Sequence, residues 1–224
     1  MTLGSPRVHR RVTASTNADA RALAITGAPH GTLVSAGEQT AGRGREGRRW
    51  HAPPGSALLC SLVLRDAPAL LSLRAGVAVA EAIGPAAALK WPNDVLLAER
   101  KVSGILVEAR PQDRWAVVGI GVNVAVELES LPLELRAGAG TLGLPRAAIE
   151  PTLAAVLAAL ERWLAAAQGE VLDAWRGRDA LREREVSWAG GAGTAEGIDE
   201  HGRLVVRSSA GRQALDSGEV HLGR

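Results

Sequence analysis

The sequence predicts an α+β protein, with a main α/β domain built on a partly antiparallel sheet and a small all-β domain after it. Strand-like runs follow one another directly between residues 88 and 124, which is typical of hairpins rather than of alternating βαβ units. After residue 184 the pattern changes to short runs separated by Gly-bearing turns, which indicates a small barrel. The 224 residues suffice for one ordinary domain and an appendage, and we place the boundary between 1–182 and 183–224.

The individual elements are predicted from N-cap residues, the spacing of apolar side chains, and Gly or Pro stops. Helices are expected over residues 17–25, 70–83, 151–168 and 170–176. Strands are expected over residues 32–38, 57–64, 88–91, 95–98, 102–108 and 115–124, and in the small domain over 186–188, 194–198, 204–207, 212–215 and 219–222. Because so few residues cannot easily sustain a core alone, we expect the small domain to pack on the main one.

The composition predicts a soluble, cytoplasmic protein without a membrane anchor. Hydrophobic residues make up 46% and charged residues 22% of the chain, which excludes disordered, collagenous and disulfide-rich classes. The longest apolar run, residues 57–64, is too short to span a bilayer, and the single Cys60 within it is expected to be a buried small hydrophobe. The net charge of +2 gives no large field that would favour nucleic acid.

Two lysines stand out against an arginine-rich background. Arginine accounts for 24 of the 26 basic residues, and only Lys90 and Lys101 are lysines. Where any exposed cation suffices, this chain uses arginine. The two lysines therefore indicate positions that favour a compact ammonium group over a planar guanidinium, with chance retention on the surface as the alternative.

The most distinctive segment is residues 42–50, GRGREGRRW, which we call the Gly-Arg loop. Its glycines match the dinucleotide fingerprint G-x-G-x-x-G, but a Pro-Pro-Gly sequence at 53–55 follows instead of a helix, so that interpretation fails. Clustered guanidiniums repel one another unless an anion gathers them, and glycines let the backbone fold closely around it. The segment predicts a phosphate site; a solvated basic loop and an RNA-binding RGG-like segment are the alternatives.

Three further segments contain polar or glycine residues beside predicted strands. Residues 90–94, KWPND, place the amide of Asn93 and the carboxylate of Asp94 at a turn that suits a metal ion or phosphate groups, although ordinary hairpin turns look the same. Lys101 begins a strand with Gly104 in its interior, and glycines recur in residues 119–123, GIGVN. Glycine inside a strand indicates close approach by a ligand or another backbone.

Taken together, five segments in this order and spacing resemble the biotin–protein ligase family, whose members attach biotin to a lysine of carboxylase carrier domains. They are STN at 15–17, the Gly-Arg loop, KWPND at 90–94, KVSGILVE at 101–108 and GIGVN at 119–123. The resemblance implies a class II synthetase/biotin ligase-like mixed sheet flanked by helices, followed by a C-terminal SH3-like β-barrel.

The resemblance also implies roles for individual residues. The residues expected to bind biotin are Ser15, Thr16, Gln39, Gly42, Arg43, Gly44, Lys101 and Gly104. Those expected to bind ATP are Arg45, Arg48, Trp50, Lys90, Asn93, Asp94 and Asn123, with Asn93 and Asp94 also as Mg²⁺ ligands. Those expected to act in catalysis are Lys101, Arg45, Arg48 and Asp94. By the same match, Lys101 pairs with the biotin carboxylate.

The implied reaction activates biotin with ATP to biotinyl-5′-AMP and transfers biotin to a lysine of a biotin carboxyl carrier protein. Because STN lies so close to the start of the sequence, we expect the form without an N-terminal DNA-binding domain and no DNA partner. A homodimer is left open. Ala14 departs from the family, where this position is often acidic. The alternatives are a lipoate or octanoate ligase of similar fold and a non-catalytic nucleic-acid-binding protein.

Overall fold

The computed structural model describes residues 2–223 and contains two β-sheets. The strands of the first sheet are β1 (Arg7–Arg10), β2 (Leu33–Ala36), β3 (Ala57–Arg65), β4 (Ala88–Lys90), β5 (Asp94–Leu97), β6 (Arg100–Arg110) and β7 (Trp115–Asn123). The strands of the second are β8 (Glu185–Trp188), β9 (Gly191–Ile198), β10 (Leu204–Ser208), β11 (Gly211–Leu215) and β12 (His221–Leu222). The α-helices are α1 (Thr16–Ile25), α2 (Leu71–Ile83), α3 (Leu133–Arg136), α4 (Ile149–Ala165) and α5 (Gln168–Arg176).

The first sheet is mixed, as the sequence predicts. Its strand order is β1-β2-β3-β7-β6-β5-β4; β1 pairs with β2 in parallel, and every other neighbouring pair is antiparallel. β3 lies near the centre and is buried along almost its whole length. The second sheet is antiparallel, in the order β11-β10-β9-β8-β12.

Helices cover the two faces of the first sheet unequally. On one face, leucines of β3 pack with α2, α4 and α5 in the main core; Leu62, Val77 and Leu160 are almost fully buried there. On the other face, α1 packs on the sheet through Ala20 and Ala24 against Val63 and Val117. Because α1 spans ten residues, part of this second face is left for the loops that follow β2 and β7.

Several elements differ from the sequence-based expectation, among them β9, which begins at Gly191 rather than at residue 194. β1 was not predicted, and neither was the short helix α3. α4 covers residues 149–165 rather than 151–168, so Pro151 is its third residue. This position tolerates proline because the first N–H groups of a helix have no intrahelical acceptor.

The C-terminal sheet packs on the main domain, as predicted from its size. Its buried residues Val186, Leu204 and Val206 belong to the same hydrophobic cluster as the helices and β3. In addition, Trp91 Nε1 donates a hydrogen bond to the Gly202 carbonyl oxygen at 3.0 Å. Among residues 2–223, no helix has both the length and the hydrophobicity required to cross a bilayer.

Candidate active site

A cavity of about 480 Å³ opens on the face of the first sheet that α1 leaves partly uncovered. Its size falls within the range of small-molecule sites. All but one of the residues that the sequence analysis assigned to binding or catalysis line it: Ser15, Thr16, Gln39, Arg43, Gly44, Arg45, Arg48, Trp50, Lys90, Asn93, Asp94, Lys101, Gly104 and Asn123. Gly42 is the exception.

The floor of the cavity is made by glycines on neighbouring strands. Gly104 of β6 and Gly121 of β7 are paired across the ladder, so they share one face of the sheet. The Trp50 indole lies on both: a Cβ at Gly121 would come within 2.6 Å of the ring and one at Gly104 within 3.0 Å. The missing side chains therefore let a flat aromatic group lie directly on the backbone.

One end of the cavity is formed by short polar side chains. Gln39 Oε1 accepts a hydrogen bond from the backbone N–H of Thr16 at 2.7 Å and lies 3.1 Å from the Thr16 hydroxyl oxygen. Ser61 Oγ lies 2.8 Å from Thr16 Oγ1 and 2.6 Å from Asn17 Oδ1. Ser15, Thr16, Asn17 and Ser61 are all nearly inaccessible to solvent. This end of the cavity is therefore a preorganised set of hydrogen-bonding groups.

The Gly-Arg loop closes over the cavity and is fastened to other elements. The backbone N–H of Trp50 donates to Gly42 O at 3.0 Å, which holds the loop ends together. A Cβ at Gly42 would meet the Trp50 carbonyl oxygen at 2.5 Å, so this glycine closes the loop although it does not line the cavity. Arg43 pairs with Glu108 of β6 at 3.0 Å, and Arg48 pairs with Glu219 just before β12. Arg45 also lies 3.9 Å from Glu46, so three of the four guanidiniums of the loop have acidic partners.

The two lysines lie at the other end of the cavity. Lys101 Nζ is 2.6 Å from Asp94 Oδ1 and 6.0 Å from the centroid of the Trp50 ring. Burial lowers the pKa of Lys90, and the positive charges of Lys101 and Arg48 add to that effect, while Asp94 and Glu219 oppose it. Asp94 is therefore the carboxylate shared by both ammonium groups.

The two asparagines of the site are anchored to the backbone. Asn93 Nδ2 donates to Ile105 O at 2.7 Å, so part of its amide holds the β4–β5 turn against β6. Asn123 Nδ2 donates to Gly140 O at 2.8 Å, while its Oδ1 is buried without a hydrogen-bond partner in the described part of the chain. Asn123 therefore leaves one acceptor free beside the cavity.

Within residues 2–223 no group of three or more His, Cys, Asp or Glu side chains is arranged to hold a metal ion. Asp94 contributes a single carboxylate at this end of the cavity. Together with the amide oxygen of Asn93, it suits a cation that arrives with its own phosphate ligands, as Mg²⁺ does with a nucleotide.

Cys60 is free and almost completely buried, as predicted from the apolar run around it. Burial raises the pKa of its thiol to about 12. The thiol therefore stays protonated at neutral pH and is not a nucleophile of the site.

Several residues of the site were missed by the sequence analysis. Asn17 and Glu108 belong to segments that it singled out, yet neither received a role. Glu108 directly follows the apolar run of β6. This position could have served as a signal, because a charged residue there lies beside the ligand or side chains that pack on the strand. Glu219 and His221 line the cavity from the C-terminal sheet, and no local pattern marks them.

Comparisons with known proteins agree with this geometry. Residues 9–125 match the biotin/lipoate A/B protein ligase family, and residues 192–223 match the biotin protein ligase C-terminal domain. The chain is 40% identical to a biotin–[acetyl-CoA-carboxylase] ligase of Paracoccus denitrificans, over 94% of this chain and 98% of that protein. It is 34% identical to the bifunctional ligase/repressor BirA of Bacillus subtilis, over 99% of this chain and 75% of that protein.

Among solved structures, the fold is similar to a biotin protein ligase from Aquifex aeolicus in complex with biotin and ATP. The TM-score is 0.82 and the sequence identity 29%, with 98% of this chain and 99% of that chain covered. The protein described here belongs to the biotin/lipoate A/B protein ligase family.

Proposed function

We propose that the protein is a biotin protein ligase that activates biotin with ATP and transfers it to a lysine of a carrier domain of a biotin-dependent carboxylase. One observation carries the proposal: a single cavity joins a polar end, an apolar floor and a cationic end beneath a basic loop. A bicyclic urea, its aliphatic chain and its carboxylate require these three environments in the same order. The name of the Paracoccus denitrificans relative supports the same activity.

In this arrangement the ring of biotin lies at the polar end and its carboxylate points to the lysines. Thr16 and Gln39 supply hydrogen-bonding groups for the ring, with Ser15 beside them. Trp50 and Gly104 provide apolar contact along the chain. Arg43 and Gly44 close this part of the cavity from the loop.

ATP takes the cationic part of the cavity. Arg45, Arg48, Lys90 and Lys101 meet the phosphate oxygens, and Asn93 and Asp94 would hold the Mg²⁺ that accompanies ATP. The free Oδ1 of Asn123 offers an acceptor for the exocyclic amino group of adenine. The buried acceptor is favoured to bind a donor because leaving it unpaired costs about 1–3 kcal/mol.

The chemistry then consists of an adenylyl transfer followed by an acyl transfer. The biotin carboxylate attacks the α-phosphorus of ATP and pyrophosphate leaves; Lys101, Arg45 and Arg48 stabilise the charge that develops on the phosphoryl oxygens. The acceptor lysine then attacks the acyl carbon and AMP leaves. The attacking amine must first lose a proton, since a lysine has a reference pKa of about 10.4, and we assign Asp94, the carboxylate beside Lys101, to receive it.

Replacing Arg45 by glycine should loosen the loop and release activated biotin to other amines. The Arg45 side chain is largely shielded over the cavity, and its one acidic contact within the described chain is its neighbour Glu46. Losing this side chain removes both a phosphate ligand and part of the lid that excludes water. Biotin incorporation into a bystander protein, measured by blotting, should rise relative to the parent. Labelling confined to the carrier lysine, at the parent's fidelity, would show that Arg45 does not retain the intermediate.

The catalytic efficiency for ATP should fall with rising pH as Lys90 loses its proton. Because burial lowers the pKa of Lys90, this loss of positive charge starts at a lower pH than for an ordinary lysine. In a Lys90→Arg variant the cation persists, so the decline should start at higher pH. The measurement is kcat/KM for ATP across the alkaline range, which reports groups of the free enzyme. The same onset in both proteins would exclude Lys90 as the titrating group.

The proposed activity is tested by exchange of labelled pyrophosphate into ATP in the presence of biotin, lipoate or octanoate. We expect exchange with biotin only. Exchange with lipoate or octanoate but not with biotin would favour the alternative acyl ligase. No exchange, together with binding of RNA or DNA that weakens steeply with salt, would instead favour a nucleic-acid-binding protein. We also propose a cytoplasmic location, which agrees with a free, protonated Cys60.

A further inference from the structure

Six side chains form a continuous line of polar contacts whose two ends, Gln39 and Arg43, lie four residues apart in the sequence. In order, they are Gln39, Thr16, Ser61, Asn17, Glu108 and Arg43. The line passes through α1, β3 and β6 and then reaches the Gly-Arg loop. Its middle members Thr16, Asn17 and Ser61 are buried, so the contacts among them are shielded from water.

Glu108 is the charged member that sets the direction of the protons along this line. Its Oε2 accepts from Asn17 Nδ2 at 2.9 Å, and its Oε1 accepts from Arg43 Nη1 at 3.0 Å. An ionised carboxylate accepts hydrogen bonds and donates none. Asn17 must therefore present its NH₂ group to Glu108 and its carbonyl oxygen to Ser61.

The orientation of Asn17 determines the protons of the two hydroxyls that follow. Asn17 Oδ1 has no proton, so the single hydroxyl proton of Ser61 is donated to it across 2.6 Å. The single proton of Thr16 then serves the shorter of its two contacts, the one of 2.8 Å to Ser61, rather than the one of 3.1 Å to Gln39 Oε1. With that proton given to Ser61, Thr16 Oγ1 and Gln39 Oε1 remain as two acceptors 3.1 Å apart at the cavity wall.

We infer that Glu108 is a positioning residue that makes the polar end of the cavity an acceptor of ligand N–H groups, and thereby favours a cyclic urea over a ring without N–H groups. The inference rests on the proposed function. A urea ring offers N–H donors to the paired acceptors, whereas the dithiolane ring of lipoate offers none. A site whose buried acceptors are left unpaired binds such a ligand poorly.

The test compares three variants by steady-state kinetics of biotin-dependent pyrophosphate exchange. Glu108→Gln has an amide that can donate to Asn17, so Asn17 can turn and the protons of the line can reverse. Ser61→Ala interrupts the line while leaving the Glu108–Arg43 pair in place. Both should raise KM for biotin by about tenfold, as expected for one misdirected buried hydrogen bond. Both should leave KM for ATP and kcat within about twofold, because neither side chain lines the nucleotide end of the cavity.

Arg43→Ala distinguishes two possible effects of Glu108: an effect on the direction of the hydrogen bonds and an effect on the attachment of the Gly-Arg loop. It removes the loop contact but leaves Glu108 bonded to Asn17, so it should raise KM for biotin by less than Glu108→Gln does. An equal rise in both would mean that Glu108 acts only by holding the loop, which overturns the inference.

Two controls keep the outcome unambiguous. If the parent shows no biotin-dependent exchange, the proposed function fails, whatever the variants do. If the parent is active and KM for biotin is unchanged in Ser61→Ala and Glu108→Gln, the inference alone fails. A variant that lowers kcat, raises KM for both biotin and ATP, and lowers the melting temperature would indicate general damage to the fold. This result would also contradict the specific role. Should Glu108→Gln not fold, Ser61→Ala decides the question.

Discussion

Lys101→Ala should reduce biotin-dependent exchange of pyrophosphate into ATP by about 100-fold or more, the loss seen when one donor to a developing oxyanion is removed. Lys101 Nζ lies at the cationic end of the cavity, 2.6 Å from Asp94, and its stem lies against Gly104. There it meets the biotin carboxylate first and the acyl-phosphate oxygens afterwards. Removing it leaves Asp94 without its closest cation, which repels the incoming anions further.

Arg100→Ala provides the matched control for this prediction. Arg100 is the preceding residue of β6, carries the same charge, is exposed and does not line the cavity. Its loss should leave the exchange rate close to that of the parent. Near-normal exchange in Lys101→Ala would refute the assigned role, and an equal loss in both variants would point to damage of the strand rather than to the ammonium group.

Gly119→Ala should weaken biotin binding at the polar end of the cavity by at least tenfold. A Cβ at residue 119 would lie 1.9 Å from Asn17 Oδ1, so Asn17 has to move and its hydrogen bonds to Ser61 and Glu108 break. Overpacking of this kind also costs about 1–3 kcal/mol of folding free energy. Calorimetric titration with biotin should therefore show at least a tenfold weaker affinity, from about one lost buried hydrogen bond upward.

Gly169→Ala is the control for Gly119→Ala, because it replaces a glycine by alanine where the new side chain meets no other atom. Gly169 lies in the first turn of α5, and a Cβ there meets nothing within 4 Å. Alanine also favours the helix, so both biotin affinity and stability should be retained or improved. Normal biotin affinity in Gly119→Ala would show that the arrangement of Asn17 is not needed for binding.

Much of the fold could be predicted because hydrophobic spacing and turn residues act locally. The buried run of β3 and the hairpin-like succession of β4 to β7 are visible in single segments of sequence. β1 was missed since its four residues, RVHR, are mostly exposed and show no apolar alternation. Its existence depends on pairing with β2 and on the contact of Arg7 with Glu150, 143 residues away.

The residues of the site show the same distinction between local and long-range signals. Residues within distinctive segments, such as Lys101 and Trp50, could be assigned from sequence because glycines, rare lysines and clustered arginines mark them. The contact of Arg48 with Glu219 joins positions 171 residues apart, and no local pattern predicts it. The polar contacts through Ser61 and Glu108 could not be predicted from the sequence either. They depend on the register of β3, β6 and β7 and on how α1 lies over these strands.

The most direct test of the account is the intact mass of a biotin carboxyl carrier domain after incubation with this protein, biotin and ATP. With all three present, the carrier should gain one biotinyl group on one lysine, and omission of the protein, of biotin or of ATP should leave its mass unchanged. An unmodified carrier in the complete mixture, or a biotinyl group added without ATP, would contradict the conclusion that the cavity beneath the Gly-Arg loop makes and transfers an activated acyl group.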